Sequence, residues 1–146
     1  MRAAAGFSMV ELVMVIVIIG ILAVVAIPRM GTSEFRALEF RDKTAAALRY
    51  AQKTATSHRR MVCVAFTAST VALTIDHDKS GACNGQALIL PGGNSNVVQS
   101  GDAVSAVFNP VPADFDFQPD GTGADRTLQI SGQEDIVVVG ATGYVK

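Results

Sequence analysis

Four groups of side chains after the N-terminal segment are of types that do chemistry. Asp76-His77-Asp78-Lys79-Ser80-Gly81 sets oxygens at alternate positions before a glycine, which is how a calcium-binding loop opens. The position that must then supply a bidentate Glu is Ala87, and the flanking residues read as strands, so a polar hairpin loop is expected. Asp114, Asp116 and Asp120 gather near Pro119 without the spacing of a ligand set, and no metal site is assigned. His58-Arg59-Arg60, with Lys53 and Arg49, form a basic patch near a helix end. The favoured expectation is that these cations complement the helix dipole and cap its last carbonyls. The sharper alternative is a nucleic-acid patch centred on Lys53, Arg59 and Arg60, against which stands the lack of an aromatic among the cations. Cys63 and Cys83 suit a structural disulfide in an exported chain better than a catalytic thiol, and a bridge over that separation adds roughly 3 kcal/mol.

Enzymatic readings find little support. The two histidines are His58 and His77. There is no nucleophile motif, no glycine-rich phosphate loop after a strand, and no paired-cysteine or His-Glu metal spacing. Neither catalysis nor a cofactor is expected. A formal net charge of −1 supplies no general field for anionic partners, and 146 residues leave room for one small domain beyond the N-terminal segment.

That segment poses the sharpest question. From Phe7 to Ile27 run 21 residues, roughly 31 Å as a helix and about the thickness of a hydrocarbon core. Glu11 is its one carboxylate, and an acid this close to hydrocarbon is costly unless it lies at the interface or finds a cation. An ordinary signal peptide cut after Ala26 would yield a secreted soluble binding domain. Against that stand the 16-residue uncharged core, Leu12 to Ile27, and Pro28 just after the cut. A plain membrane anchor retaining Met1 is a further alternative, and it has no need of Glu11.

Beyond Pro28, where the helix is expected to kink, the pattern turns amphipathic. Ala37, Phe40, Thr44, Ala47, Leu48, Ala51 and Ala55 recur at three- and four-residue steps, so one helix should present an alanine-rich face to a sheet. From Met61 the signature is β. Met61–Phe66 and Thr70–Ile75 read as a hairpin turning at Thr67 to Ser69. Shorter runs follow at Ala87–Leu90, Ala103–Phe108, Thr127–Ile130 and Asp135–Val139. The expected class is α+β, a long N-terminal helix with transmembrane and amphipathic halves, packed on a mostly antiparallel C-terminal sheet.

Gly6-Phe7-Ser8-Met9-Val10-Glu11-Leu12, followed by an uninterrupted apolar run into Ile27-Pro28-Arg29, resembles the leader and first helix of type IV pilins and type II secretion pseudopilins. The resemblance implies cleavage by prepilin peptidase between Gly6 and Phe7, N-methylation of Phe7, and retention of the apolar helix. It implies a leader at 1–6, a transmembrane assembly helix at 7–28, its amphipathic continuation at 29–60 and a β-rich head at 61–146. The new amine would lie one helical turn before Glu11, so the Glu11 carboxylate would pair with a neighbouring subunit's amine and set assembly register. The partners implied are other pilin or pseudopilin subunits, the peptidase and an inner-membrane assembly platform. The place implied is the bacterial inner membrane, single-pass with the C-terminal domain in the periplasm, and then a filament. Arg2 precedes the segment while Arg29, Arg36 and Arg41 follow it, so this orientation rests on the resemblance and not on charge. More loosely, the order of helix, RRMVCVAF hairpin, FQPDGTG turn and closing TGYVK resembles the GspH/FimT group of minor pilins, some of which take part in DNA uptake.

Overall fold

The computed structural model describes residues 8–26, 32–101 and 106–146. Two compact units divide the chain, Met1–Thr32 and Ser33–Lys146. In the first, helix α1 spans Met9–Ala26. Gly6 and Phe7 lie outside the described residues, as does the kink expected at Pro28.

Helix α2, Thr32–His58, contains neither glycine nor proline and is rich in alanine, the best helix former. The seven positions expected on its inner face are all buried, joined by Ala45 and Thr54. Glu39 and Lys43 pair one turn apart on the outer face at 2.6 Å. The helix stops at His58, where Arg59 turns left-handed (φ 50°) and the Arg60 amide donates back to the Ala55 carbonyl at 3.1 Å. This is a Schellman-type ending built from backbone. The cations therefore do not cap the last carbonyls as expected; Thr56 and Ser57 hydroxyls instead donate to the carbonyls of Lys53 and Thr54.

Eight strands follow among the described residues: β1 Val62–Phe66, β2 Thr70–Ile75, β3 Gln86–Ala87, β4 Val97–Gln99, β5 Phe115–Phe117, β6 Arg126–Leu128, β7 Ile136–Val139 and β8 Tyr144–Val145. The expected hairpin forms in full, with Val62 opposite Ile75 and Phe66 opposite Val71, and Thr67 and Thr70 hydroxyls 2.6 Å apart at its turn. One sheet runs β3-β2-β1-β5, with β4 on the other half of β2's outer edge; a second runs β6-β7-β8, and all pairings are antiparallel. The fold is the α+β arrangement expected. Strands β4, β5 and β8 were not legible in the sequence. The Ala87–Leu90 run contributes only Ala87 to a strand, although the Leu88 amide still reaches the Leu73 carbonyl. Of the run at 103–108, residues 103–105 lie outside the described residues, and Phe108 bridges Ile130.

Alternation on β1 sends Val62, Val64 and Phe66 inward, where they meet Leu48, Leu73, Phe117, Leu128 and Ile136 in one core. Aromatic rings fill the thicker part of it: Phe40, Phe108, Phe66, Phe115 and Phe117 form a chain with centroid spacings of 5.2 to 5.9 Å. Thr44 brings a buried hydroxyl with no hydrogen-bond partner among the described residues.

The C-terminal half of α2 is gripped by polar groups and two glycines. Arg49 donates to the Val145 carbonyl at 3.2 Å and Gln52 to the Thr142 carbonyl at 3.0 Å. Here the 118–123 turn, the 139–143 turn and the helix converge so closely that a Cβ on Gly143 (φ 64°) would stand 1.9 Å from the Gly121 carbonyl oxygen. Gly143→Ala should therefore cost on the order of 3 kcal/mol or more, whereas Gly132→Ala, at a positive φ but facing open space, should cost about 1 kcal/mol. Urea denaturation of both variants checks this; equal losses would mean that the close approach is not needed for stability.

Candidate functional site

Glu11 sits in the first turn of α1. Ser8 begins the helix: its hydroxyl accepts from the Val10 amide at 3.3 Å, and its carbonyl from the Glu11 amide at 3.0 Å. Ser8-Met9-Val10-Glu11 is thus a capping-box sequence, with the carboxylate placed where the helix dipole favours a negative charge. The sequence pattern alone could have yielded this second role for Glu11.

From Leu12 to Ala23, α1 presents apolar side chains on every side. Val10, Leu12, Met14, Ile16, Ile18, Ile19 and Leu22 are all more than half exposed. Helices apolar all round are found buried in a protein core or a membrane. Among the described residues no helix is long and apolar enough to cross a membrane. The described helix has 18 residues, and Phe7 and Ile27, which extend the apolar run, lie outside.

The Asp76–Gly81 run is a closed polar loop. Asp76 is buried, and its carboxylate accepts from the Ser80 amide (3.1 Å), the Ser80 hydroxyl (3.4 Å) and the Gly81 amide (2.8 Å). Asp78 accepts from Ser80 and from Asn84 (2.7 Å). These oxygens are turned into the loop's own donors, as the missing glutamate at Ala87 leads one to expect. Cys63 and Cys83 are disulfide-bonded, tying the far side of this loop to β1 across a Cα–Cα distance of 6.1 Å.

The basic patch divides. Arg59 and Arg60 line a cleft of about 260 Å³ together with Met61, Asp76, Lys79, Gly81, Gln118 and Pro119. Lys53 and Arg49 are not part of it; Arg49 is turned to β8. Arg60 donates to both the carbonyl and the ring Nδ1 of His77. Lys79, the residue missed as a member of the patch, arrives from a different loop in a left-handed conformation (φ 58°).

The three aspartates near Pro119 do not converge. Asp114 accepts from the Phe66 amide at 2.8 Å, Asp116 from the Gln118 side chain, and Asp120 from the Thr122 hydroxyl at 2.7 Å. Among the described residues no group of three or more His, Cys, Asp or Glu side chains is placed to hold a metal ion. A second groove of about 480 Å³ lies between Ala46, Ala47 and Tyr50 of α2 and the 90–99 segment. Lys43 at its rim is already paired with Glu39.

Two predictions follow from the loop chemistry. Asp76→Ala strands two amides and a hydroxyl and should cost about 2 kcal/mol, with little change for Asp78→Ala on the exposed side; denaturation midpoints decide it. Hydrogen bonding from Ser80, then Asp76, holds the Asp78 carboxyl below its ordinary 3.8, and the Thr122 hydroxyl and amide do the same for Asp120. Because both values are lower in the folded chain, the stabilisation is present above 3.8 and is lost as pH falls from 3.8 through the lowered folded values. The acid limb of a stability–pH curve should be shallower in an Asp78→Asn/Asp120→Asn variant.

Residues 1–27 match the family described as the prokaryotic N-terminal methylation motif. The chain thus carries a type IV pilin-like leader of the kind that prepilin peptidase processes. No curated protein and no solved structure matches the chain.

Proposed function

We propose that this chain is the precursor of a minor type IV pilin or pseudopilin of the GspH/FimT kind, a structural filament subunit and not an enzyme. Prepilin peptidase cuts between Gly6 and Phe7 and methylates Phe7. The apolar segment then holds the subunit in the inner membrane as a single span, with the 33–146 unit in the periplasm, until the assembly platform passes it into a filament. There the apolar surface of α1 is covered by equivalent helices, and Glu11 pairs with the Phe7 amine of a neighbour.

One observation carries this reading: the stretch that matches the methylation motif, residues 1–27, contains a helix whose large apolar side chains are exposed on every side. Its surface needs cover that the described residues of its own unit do not supply, and lipid followed by like helices would supply it. Glu11 fits the same reading because an unpaired carboxylate in such a bundle is heavily penalised, so only registers that bring it to a cation survive. The carboxylate contributes specificity more than stability.

The decisive measurement is the mass of the N-terminal peptide from membranes with and without active peptidase. A methylated Phe7 terminus that requires the peptidase is the expected result. A terminus at Ile27 makes the chain a secreted domain, and Met1 retained in both samples makes it a plain anchor. Glu11→Val should leave membrane insertion intact and lower incorporation into filaments by tenfold or more, on the order of the 1.4 kcal/mol that a lost charge pair exceeds when its partner stays buried; unchanged incorporation would refute the register role.

A further inference from the structure

We infer that the 33–146 unit carries a self-complementary pair of charged surfaces. The acidic tip of the β6–β7 hairpin of one copy docks into the cleft lined by Arg59, Arg60 and Lys79 of a second copy. This rests on the filament reading above and adds a specific contact to it.

The first half of the argument is the cleft. From Thr44 to Ile75 the chain has four cations, Arg49, Lys53, Arg59 and Arg60, and no carboxylate. The ion pairs among the described residues are Arg41 with Asp42, Arg41 with Glu134, and Lys43 with Glu39, all toward the other end of α2. At the cleft, Arg59, Arg60 and Lys79 face one lining carboxylate, Asp76, whose oxygens already accept from Ser80 and Gly81. Nearby Asp78 is occupied by Ser80 and Asn84, and His77 accepts from Arg60. Arg59 and Lys79 are the non-glycine residues with positive φ among those described, and both line this one cleft. Neither side chain has a hydrogen-bond or ion-pair partner among the described residues. The cleft lining is left with a surplus of two positive charges.

The second half is the hairpin tip. Glu134 and Asp135 follow the tight turn at Ser131 to Gln133, where the Gln133 amide returns to the Ile130 carbonyl at 3.0 Å. The Glu134 side chain is 85% exposed. Its cation is Arg41, at 3.7 Å, which also serves Asp42 at 3.0 Å. One guanidinium among three carboxylates leaves a surplus of two negative charges. An exposed pair of this length is worth little, so it does not stop Glu134 from binding elsewhere.

Placement decides which partner fits. The tip is fixed beside Arg41, whose Nε donates to the Glu134 carbonyl, and the cleft begins at Arg59. Eighteen residues of helix separate them, about 27 Å along α2. Two surfaces of opposite sign so far apart on one body cannot satisfy each other within it. Between copies they meet head to tail, leaving a free tip at one end and a free cleft at the other, which is the non-closing contact that builds filaments. Electrostatic complementarity of this kind steers encounter and selects register.

The test uses the whole chain co-expressed with prepilin peptidase and extracted in detergent, mixing nitrogen-15-labelled and unlabelled chains and applying a zero-length carbodiimide cross-linker. A peptide joining Lys79 to Glu134 or Asp135, with the two halves from differently labelled chains, is expected. Raised sodium chloride, or Glu134→Gln with Asp135→Asn, should cut its yield about tenfold. Lys79→Asp and Asp135→Lys should each associate poorly alone and regain salt-sensitive association when mixed. Aspartate at 79 tolerates the left-handed backbone, and circular dichroism with an intact Cys63–Cys83 bridge confirms folding. No inter-chain cross-link, or no recovery on mixing, overturns the contact. The N-terminal peptide mass from the same sample separates the two ideas: a methylated Phe7 without the cross-link sinks the contact alone, and an unprocessed Met1 sinks the filament reading alone.

Discussion

The fold of the 33–146 unit depends on how closely the backbone of α2 approaches the sheets. Alanine at 37, 45, 47, 51 and 55 leaves little side chain between helix and strands, and the larger Phe40 and Leu48 enter where the layers separate. The phenylalanine chain then fills the space that a helix of small residues leaves open. At the other end the approach becomes closest, and only glycine fits where the 118–123 and 139–143 turns meet under Gln52 and Thr56. A single constraint of small residues at the interface thus sets both the aromatic content of the core and the glycine content of the closing turns.

The helix of the N-terminal unit obeys the opposite logic. Its side chains are large, apolar and exposed on all sides, so nothing in its own unit specifies what covers it. On the filament reading proposed above, lipid and then like helices would cover such a surface. One carboxylate, Glu11, lies in its first turn, where the helix dipole favours it, and on the proposed reading it would discriminate among the many ways equivalent apolar helices could stack.

Polar groups of the head are satisfied locally, and that decides what its acidic clusters do. Asp76 closes its own loop, Asp114 holds the start of the β1–β2 turn, Asp120 orders the Thr122 turn, and Asp125 accepts from the Gly140 amide at 2.6 Å. Carboxylates committed to backbone amides stabilise turns in a unit whose strands are short. Of the cations near the end of α2, Arg49 and Arg60 donate to the Val145 and His77 carbonyls, whereas the Arg59 side chain has no partner among the described residues.

Much of this was legible in the residues themselves. The seven inner positions of α2, the 62–75 hairpin, the α+β class and the leader were all readable, because each rests on a periodicity or a motif within one contiguous stretch. The Asp76–Gly81 run was read as a polar loop because Ala87 stands where a calcium loop needs its glutamate. Strands β4, β5 and β8 could not be found. They are two or three residues long and owe their conformation to the β2, β1 and β7 edges they pair with, so no local pattern announces them. The basic patch was half read for the same reason: Arg59 and Arg60 are adjacent in sequence, but Lys79 joins them only because β1 and β2 pair and bring the end of β2 back beside the end of α2. The amino-acid sequence by itself determined which segments are apolar, helical or extended and where the processing motif lies. Tertiary structure decided which charges share a cleft, since that depends on the register between strands and not on the order of residues along them.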